Sequence, residues 1–427
     1  MKIMRTLAAA LALAAFGASV APSLNGQGVD RTPHAITNIA VDGSAVHLLW
    51  EEPVLREGGE LKLYESVALT GGWTEVTSPL ARDFGIASVA TGGALTKFFR
   101  LFAEETTGCP HGDIAPWGQV DHTIMIDLEN DSYEVTTLPA NHCALCDPLS
   151  KTDHLYLRYI KNGTFTMGSP ATEFDRTANR ETQTQVTLTS GFYVGVYQVT
   201  GHQYWRVMGG TSADGVKTPK NPISWNTLRG KTGTGNSPAE VSAAPSGSTS
   251  FLWQIKDKVA AANGGLSLAF DLPTEAQWEY ACRAGTTGTF SYLPSTIIEN
   301  TTGKSAAEMS ALLLPTLGEY AWYVSNSGGA IYEVGMKLPN PAGLYDMHGN
   351  LYDWCRDAFN TASGQTDLPG GSVSDRLRTD GGRRVVRGGY WANGAVSLRS
   401  AYRIGNAPGN TYAYLGFRLC ATGAAVP

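Results

Sequence analysis

Charge is scarce in this chain. Only 16% of its 427 residues are Asp, Glu, Lys or Arg, the formal net charge is -6, and no run of Lys and Arg exceeds two or three residues. A surface without a basic patch does not attract phosphate backbones, so nucleic acid is excluded as a partner. Long apolar runs are missing as well. Beyond the first two dozen residues no stretch is long enough to cross a bilayer as a helix, so no transmembrane segment is expected. Cysteine is sparse: Cys109, Cys143, Cys146, Cys282, Cys355 and Cys420 are all there are, and none falls between Arg356 and Leu419. What the chain has instead is glycine (49), tyrosine (18) and tryptophan (10). That profile fits a loop-rich β or α+β protein and excludes a helical bundle. The length allows two or three domains with cores of their own.

The first residues read as a signal peptide over 1–27. Lys2 and Arg5 supply the charge, Leu7 to Phe16 the apolar stretch, and Ser19-Val20-Ala21 a small-residue exit. The alternative is an apolar N-terminal strand. The signal reading implies an exported protein, whether periplasmic, surface-held or secreted, in which disulfides can form.

Residues 29–104 read as a small fibronectin-like β module. Short strand-like runs (Ala45–Trp50, Leu61–Ser66, Trp73–Val76, Thr96–Leu101) are separated by Gly-Gly pairs, and Val46, Leu48 and Trp50 alternate as a one-sided strand requires. Residues 105–155 read as a cysteine-bearing connecting segment. Cys109, His142, Cys143 and Cys146 could bind zinc, but a CxxC pair in an exported protein is more often part of a disulfide. From 156 to 427 the chain reads as one large domain with few helices. Thr274 is a candidate N-cap for a helix running to Arg283, and Phe251–Ala262 is a second, weaker helix.

Four ordered blocks in that domain carry a family pattern: Gly163-Thr-Phe-Thr-Met-Gly-Ser169, Phe192-Tyr-Val-Gly-Val-Tyr-Gln-Val-Thr200, Asp271-Leu-Pro-Thr-Glu-Ala-Gln-Trp-Glu-Tyr-Ala-Cys-Arg-Ala-Gly285 and Gly343-Leu-Tyr-Asp-Met-His-Gly-Asn-Leu-Tyr-Asp-Trp354. With Arg387-Gly388-Gly389 and Gly416-Phe417-Arg418 they resemble the formylglycine-generating enzyme, or sulfatase-modifying factor, family. The resemblance implies an α+β fold of the C-type lectin-like kind, with few regular elements. It also implies an oxidase with two reactive cysteines. Carried over, those positions fall on Asn393 and Leu398, neither of which can be a thiolate or bind copper. The iron-dependent branch of the family uses a histidine constellation that is missing here. Neither copper nor iron is therefore expected, and no residue is assigned as catalytic. The alternative is an oxidoreductase of this family with an altered or lost active site.

The resemblance further implies a calcium loop formed by Asp346, the carbonyls of Gly349 and Leu351, and Asp353; hard oxygens from one tight turn suit that ion. The competing reading has the two acids bracing the turn without metal. It also implies a disulfide between Cys282 and Cys420, with Cys355 as competitor. Leu419 stands between the final arginine and Cys420, and one extra residue on a strand reverses the side-chain face.

The tail, residues 385–420, also resembles the variable proteins of diversity-generating retroelements, which use this fold. In them adenine-directed rewriting of Asn codons leaves a fixed frame and variable slots, and the slots cannot become Lys, Glu, Gln, Met or Trp. None of those types occupies the slots read here: 390, 392–394, 396–398, 402, 404–407, 409–410 and 412–414. The expected ligand-facing residues are Tyr390, Trp391, Asn393, Ser397, Tyr402, Asn406, Asn410, Tyr412 and Tyr414. Tyrosine and asparagine give contact area and adaptable hydrogen bonding at low entropy cost. Arg387, Arg399, Arg403 and Arg418 are expected to brace loops. The reading is a non-catalytic protein binding a protein or glycan ligand. A purely structural tail would instead bury its tyrosines.

Overall fold

The computed structural model describes strands between residues 33 and 104. From 117 to 423 it describes all but residues 130–131, 141, 174, 211–214, 231–248, 293–315 and 361–367. The signal-peptide segment and Cys109 lie outside the described residues. The chain forms two compact units, Met1–Asp113 and Ile114–Pro427.

In the first unit, β1 (Pro33–His34), β2 (Ile36–Asp42), β3 (Ala45–Trp50), β4 (Glu60–Ser66), β5 (Thr74–Glu75), β6 (Ala81–Asp83), β7 (Ile86–Ala90) and β8 (Phe98–Glu104) follow one another. They divide into two antiparallel four-stranded sheets, β1-β8-β4-β5 and β2-β3-β7-β6. The alternating Val46, Leu48 and Trp50 of β3 pair with Val41, Ile39 and Ile36 of β2.

The second unit starts earlier than residue 156. β9 (Val120–Asp127) and β10 (Val135–Pro139) join β11 (His154–Ile160), β14 (Phe192–Gly195), β21 (Cys420–Thr422) and β15 (Ala269–Asp271) in a six-stranded sheet of order β10-β9-β11-β14-β21-β15. Ile124, Ile126 and Leu128 are fully buried in its core. The reading of 105–155 as a connecting segment is therefore corrected: the part from 120 onward is sheet and core. The period-2 signal is weak in β9 because His122, Thr123 and Ile124 are buried in succession.

A second sheet, β19 (Ile404–Asn406), β18 (Arg383–Arg387), β16 (Tyr352–Phe359) and β20 (Leu415–Gly416), carries most of the tail, and β12 (Gly163–Met167), β13 (Thr184–Leu188) and β17 (Ser372–Ser374) form a third. Helices pack around them, among them α1 (Gly201–Met208), α2 (Trp225–Arg229), α3 (Phe251–Ala262) and α4 (Glu275–Arg283). Helix α4 starts where Thr274 predicts. Thr274 Oγ1 accepts from Gln277 N at 3.1 Å, and Gln277 Oε1 accepts from Thr274 N at 2.9 Å, a reciprocal cap that satisfies two free amides. Helix α1 has the same device between Thr200 and Gln203.

The tail is thus woven into the domain. Strand β21 inserts between β14 and β15, while β18, β19 and β20 build the second sheet. The longer segments between these strands, 388–403 and 407–414, are free of a ladder.

Candidate functional site

The frame of the tail is held by buried arginines. Arg387, Arg399, Arg403 and Arg418 are all at most 1% exposed. Arg399 makes a forked contact with Glu181 at 2.8 and 2.8 Å and reaches Glu173 at 2.6 Å. Arg403 grips Glu275, and Arg387 pairs with Glu279 while donating to the Tyr402 carbonyl. Arg418 donates to the carbonyls of Gly195, Val196 and Tyr345 and sits 3.3 Å from Asp353. A guanidinium fork offers several directed donors to carboxylates and carbonyls, so each arginine ties a loop to the scaffold. Gly388 and Gly389 turn the chain with φ of 92° and 78°. A Cβ on Gly389 would come within 2.9 Å of the Ser397 carbonyl and of Leu398, so only glycine lets the loop fold back there.

On this frame stands an aromatic cluster. Tyr390 and Tyr414 ring centres lie 4.9 Å apart, Tyr412 stacks on Tyr414 at 5.1 Å, and Trp391 meets Tyr390 edge-on at 5.6 Å. Tyr352, which the sequence pattern did not single out, forms the base: it is 3% exposed and 5.6 Å from Tyr390. Tyr412 is 48% exposed, while Tyr390, Trp391, Tyr402, Tyr414, Asn393 and Asn410 are half-buried. Asn393 Oδ1 accepts from Tyr390 N at 3.2 Å and thereby shapes the loop. Asn221, another residue missed in the sequence, donates from Nδ2 to the Ala413 carbonyl at 2.7 Å and holds the 412–414 loop in place.

Two expected contact residues are not on this face. Asn406 is buried in β19, opposite Arg384, and Ser397 is buried at the end of a 3-10 turn. Ladder pairing in one case and the close Gly389 turn in the other take their side chains out of solvent. Nothing in local sequence carries that information, because both partners are distant in the chain.

Residues 149–422 match the sulfatase-modifying factor enzyme 1-like domain. The chain belongs to that family. Its domain has the C-type lectin-like fold of formylglycine-generating enzymes, mostly sheet with few helices. Serine/threonine-protein kinase pkn1 of Chlamydia pneumoniae is 33% identical over 152 residues, 34% of this chain and 20% of that one. The formylglycine-generating enzyme of Thermomonospora curvata is 28% identical over 153 residues, 35% of this chain and 48% of the enzyme. Among solved structures, Treponema denticola variable protein 1 shares 25% identity at a TM-score of 0.45, covering 62% of this chain and 95% of that one. The chain spans only 20%, 21% and 37% of the length of the three pkn1 relatives.

At the two positions onto which the family resemblance carries the reactive thiols, Asn393 supports the Tyr390 turn and Leu398 is fully buried. Behind Leu398, His348 Nδ1 donates to the Leu398 carbonyl at 2.7 Å, and Ser291 Oγ lies 2.8 Å from His348 Nε2. Burial pushes the His348 imidazolium down to about 4, so the ring is neutral at pH 7. Cys282 Sγ is 3.8 Å from the same Nε2, but burial pushes its thiol up to about 12. A thiol that holds its proton so firmly is a poor nucleophile.

In the expected calcium loop, oxygens of Asp346, Leu351 and Asp353 are already engaged. Gln198 Nε2 donates to the Leu351 carbonyl at 2.7 Å and to Asp353 Oδ1 at 3.0 Å. Asp353 Oδ2 accepts from Trp278 Nε1 at 2.9 Å and faces Arg418. Asp346 Oδ2 accepts from Gly335 N at 2.8 Å. An amide and a guanidinium stand where a cation would need open oxygens, so Asp346, Gly349, Leu351 and Asp353 as arranged do not fit the ion. Among the described residues no group of three or more His, Cys, Asp and Glu could hold a metal.

Burial, against the weaker pull of the Gly335 amide, raises the Asp346 carboxyl from 3.8 to about 6. A raised acid favours the folded state at low pH and loses that contribution as pH rises through about 6. Asp346→Asn should therefore raise the melting temperature at pH 7 and have no such effect below pH 4. Millimolar calcium should leave the melting temperature of the wild type unchanged. A calcium-dependent rise, abolished by Asp346→Asn, would mean that Gln198 gives way to the ion.

The cysteines also differ from expectation. Cys282, Cys355 and Cys420 are free and buried, so the Cys282–Cys420 disulfide is not formed. Cys282 Sγ faces His348, whereas Cys420 Sγ faces Gln277 Oε1 at 3.8 Å. Cys143 is disulfide-bonded, which removes it as a zinc ligand.

Proposed function

We propose that this protein is an exported, non-catalytic ligand binder whose contact surface is the tail face around Tyr390, Trp391, Tyr402, Asn410, Tyr412 and Tyr414. The observation that carries the reading is the half-open tyrosine cluster seated on a buried frame. Tyr390 leans on Tyr414 at 4.9 Å and Tyr412 stacks on Tyr414 at 5.1 Å, yet Tyr412 stays 48% exposed. A merely structural tail would have buried them. Stacked tyrosines with accessible edges are the kind of anchor that dominates protein and glycan interfaces. The loops that bear them hang from arginine-carboxylate clamps, so the exposed side chains there, Tyr412 first among them, can change without disturbing the core, on which Tyr390, Tyr402 and Tyr414 rest only partly. That separation suits diversification of the slots. The Cys143 disulfide supports export into an oxidising compartment. No helix among the described residues is long and apolar enough to cross a membrane.

Loss of the family's oxidase chemistry is part of the proposal. Purified protein should neither retain copper(I) after gel filtration nor consume oxygen with dithiothreitol and a cysteine peptide. Stoichiometric copper with thiol-dependent oxygen uptake would overturn it in favour of an altered oxidase. Diversification has its own test: a near-identical downstream repeat differing only at adenines, beside a reverse transcriptase gene. A locus without that repeat removes diversification and leaves the binding role to be judged by the tail variants described below.

A further inference from the structure

A second cleft lies outside the tail. It has a volume of about 560 Å3, and none of its lining residues belongs to the 385–423 segment. That size falls within the range of small-molecule sites, roughly 300–1,000 Å3. Three aromatic rings line it: Trp117 meets Tyr280 edge-on at 4.9 Å, and Phe165 lies against Tyr280 at 5.2 Å. Two glycines set these rings. A Cβ on Gly285 would come 2.7 Å from Trp117 Nε1, and one on Gly163 would come 2.2 Å from the Tyr280 hydroxyl. The aromatic surface is thus fixed before any ligand arrives, which lowers the ordering cost of binding.

The polar part of the lining is neutral. Gln119, Asn162 and Gln183 bring carboxamides, and Thr164, Thr166 and Thr287 bring hydroxyls. Among the described residues, the three carboxamides make no internal hydrogen bond. The one charged side chain in the lining is Arg283, and each of its three nitrogens is tied inward, to Glu279 at 2.9 Å, the Gly288 carbonyl at 3.0 Å and the Gly168 carbonyl at 2.8 Å. Apart from this inward-tied guanidinium, the lining offers no charged side chain to select an anion or a cation.

We propose that this cleft binds a neutral carbohydrate, one or two sugar rings, with Trp117 and Phe165 against the C–H faces and Gln119, Asn162 and Gln183 on the hydroxyls. A sugar ring pairs an apolar face with a rim of donors and acceptors. The cleft offers the complement of both: flat aromatic surface and side-chain amides, each able to donate and accept. An apolar ligand would leave the amides unpaired, at a cost. The site is independent of the tail face and of the role proposed for it.

Saturation-transfer NMR on the full chain tests this with cellobiose, maltose, lactose, mannobiose and chitobiose, and with digalacturonate and glucosamine as charged controls. At least one neutral disaccharide should bind saturably, and more tightly than either control. Trp117→Ala should weaken it about tenfold or more. Asn162→Ala, an exposed rim position without packing duties, should weaken it about three- to tenfold. Tyr412→Ala should change nothing. If Trp117→Ala lowers the melting temperature, Asn162→Ala decides alone. The proposal is overturned if no neutral disaccharide saturates, if a charged control binds better, if Asn162→Ala leaves binding intact, or if Tyr412→Ala abolishes it.

Discussion

Glu275→Ala should destabilise the domain by about 3–5 kcal/mol, the scale on which removing one partner breaks a buried ion pair. Glu275 is fully buried and receives Arg403 through two nitrogens, Arg376 at 3.0 Å and Arg387 at 3.5 Å. Its loss takes the shared carboxylate from three guanidiniums at once. Two of them, Arg387 and Arg403, hold the tail, so the effect should reach the binding face as well as the melting curve. Chemical denaturation read by tyrosine and tryptophan fluorescence measures it. A change below about 1 kcal/mol, the size typical of exposed ion pairs, would contradict the clamp. Burial alone would raise the Glu275 carboxyl, but Arg403, Arg376 and Arg387 outweigh it and hold the group near 2 instead of 4.5. A depressed acid contributes stability above its unfolded value and loses it as pH falls toward the folded one. Stability should therefore drop between about pH 4.5 and 2, and Glu275→Gln should flatten that part of the profile.

The second large effect concerns binding. Replacing Tyr412 and Tyr414 together by alanine should weaken the first ligand recovered from an array of cell-surface proteins and glycans by about 30-fold to 1,000-fold, or roughly 2–4 kcal/mol. Tyr412 is 48% exposed and Tyr414 half-buried, so the melting temperature should fall by only a few degrees. Surface plasmon resonance and calorimetry on the same preparation separate the two. Retained affinity at retained stability would remove these rings from the interface.

Several elements were legible because their signals are local. The Thr274 cap announces helix α4, and the alternating Val46, Leu48 and Trp50 announce β3. Family blocks revealed the fold. Other features depend on partners far along the chain. Helix α1 carries a capping box like that of α4, but its first residue is Gly201 and its polar face obscures the pattern. Strand β9 buries His122, Thr123 and Ile124 in succession, which blurs its alternation. Asn406 fits a variable slot by residue type, but the β18 ladder buries it. The disulfide expectation failed because Cys282 and Cys420 aim their sulfurs at His348 and Gln277. Gln198 occupying the calcium loop could not be foreseen, since it comes from another block of the sequence.

The tail account predicts a sharp difference between frame and face. One display library can measure it, randomising 390, 392–394, 402, 409–410 and 412–414 while keeping Arg387, Gly388, Gly389, Arg399, Arg403 and Arg418. Most members should fold, and selection against unrelated proteins and glycans should recover binders that differ only at those positions. A library in which most members fail to fold, or one that folds and yields no binder to any target, would contradict the claim that this face is built for recognition.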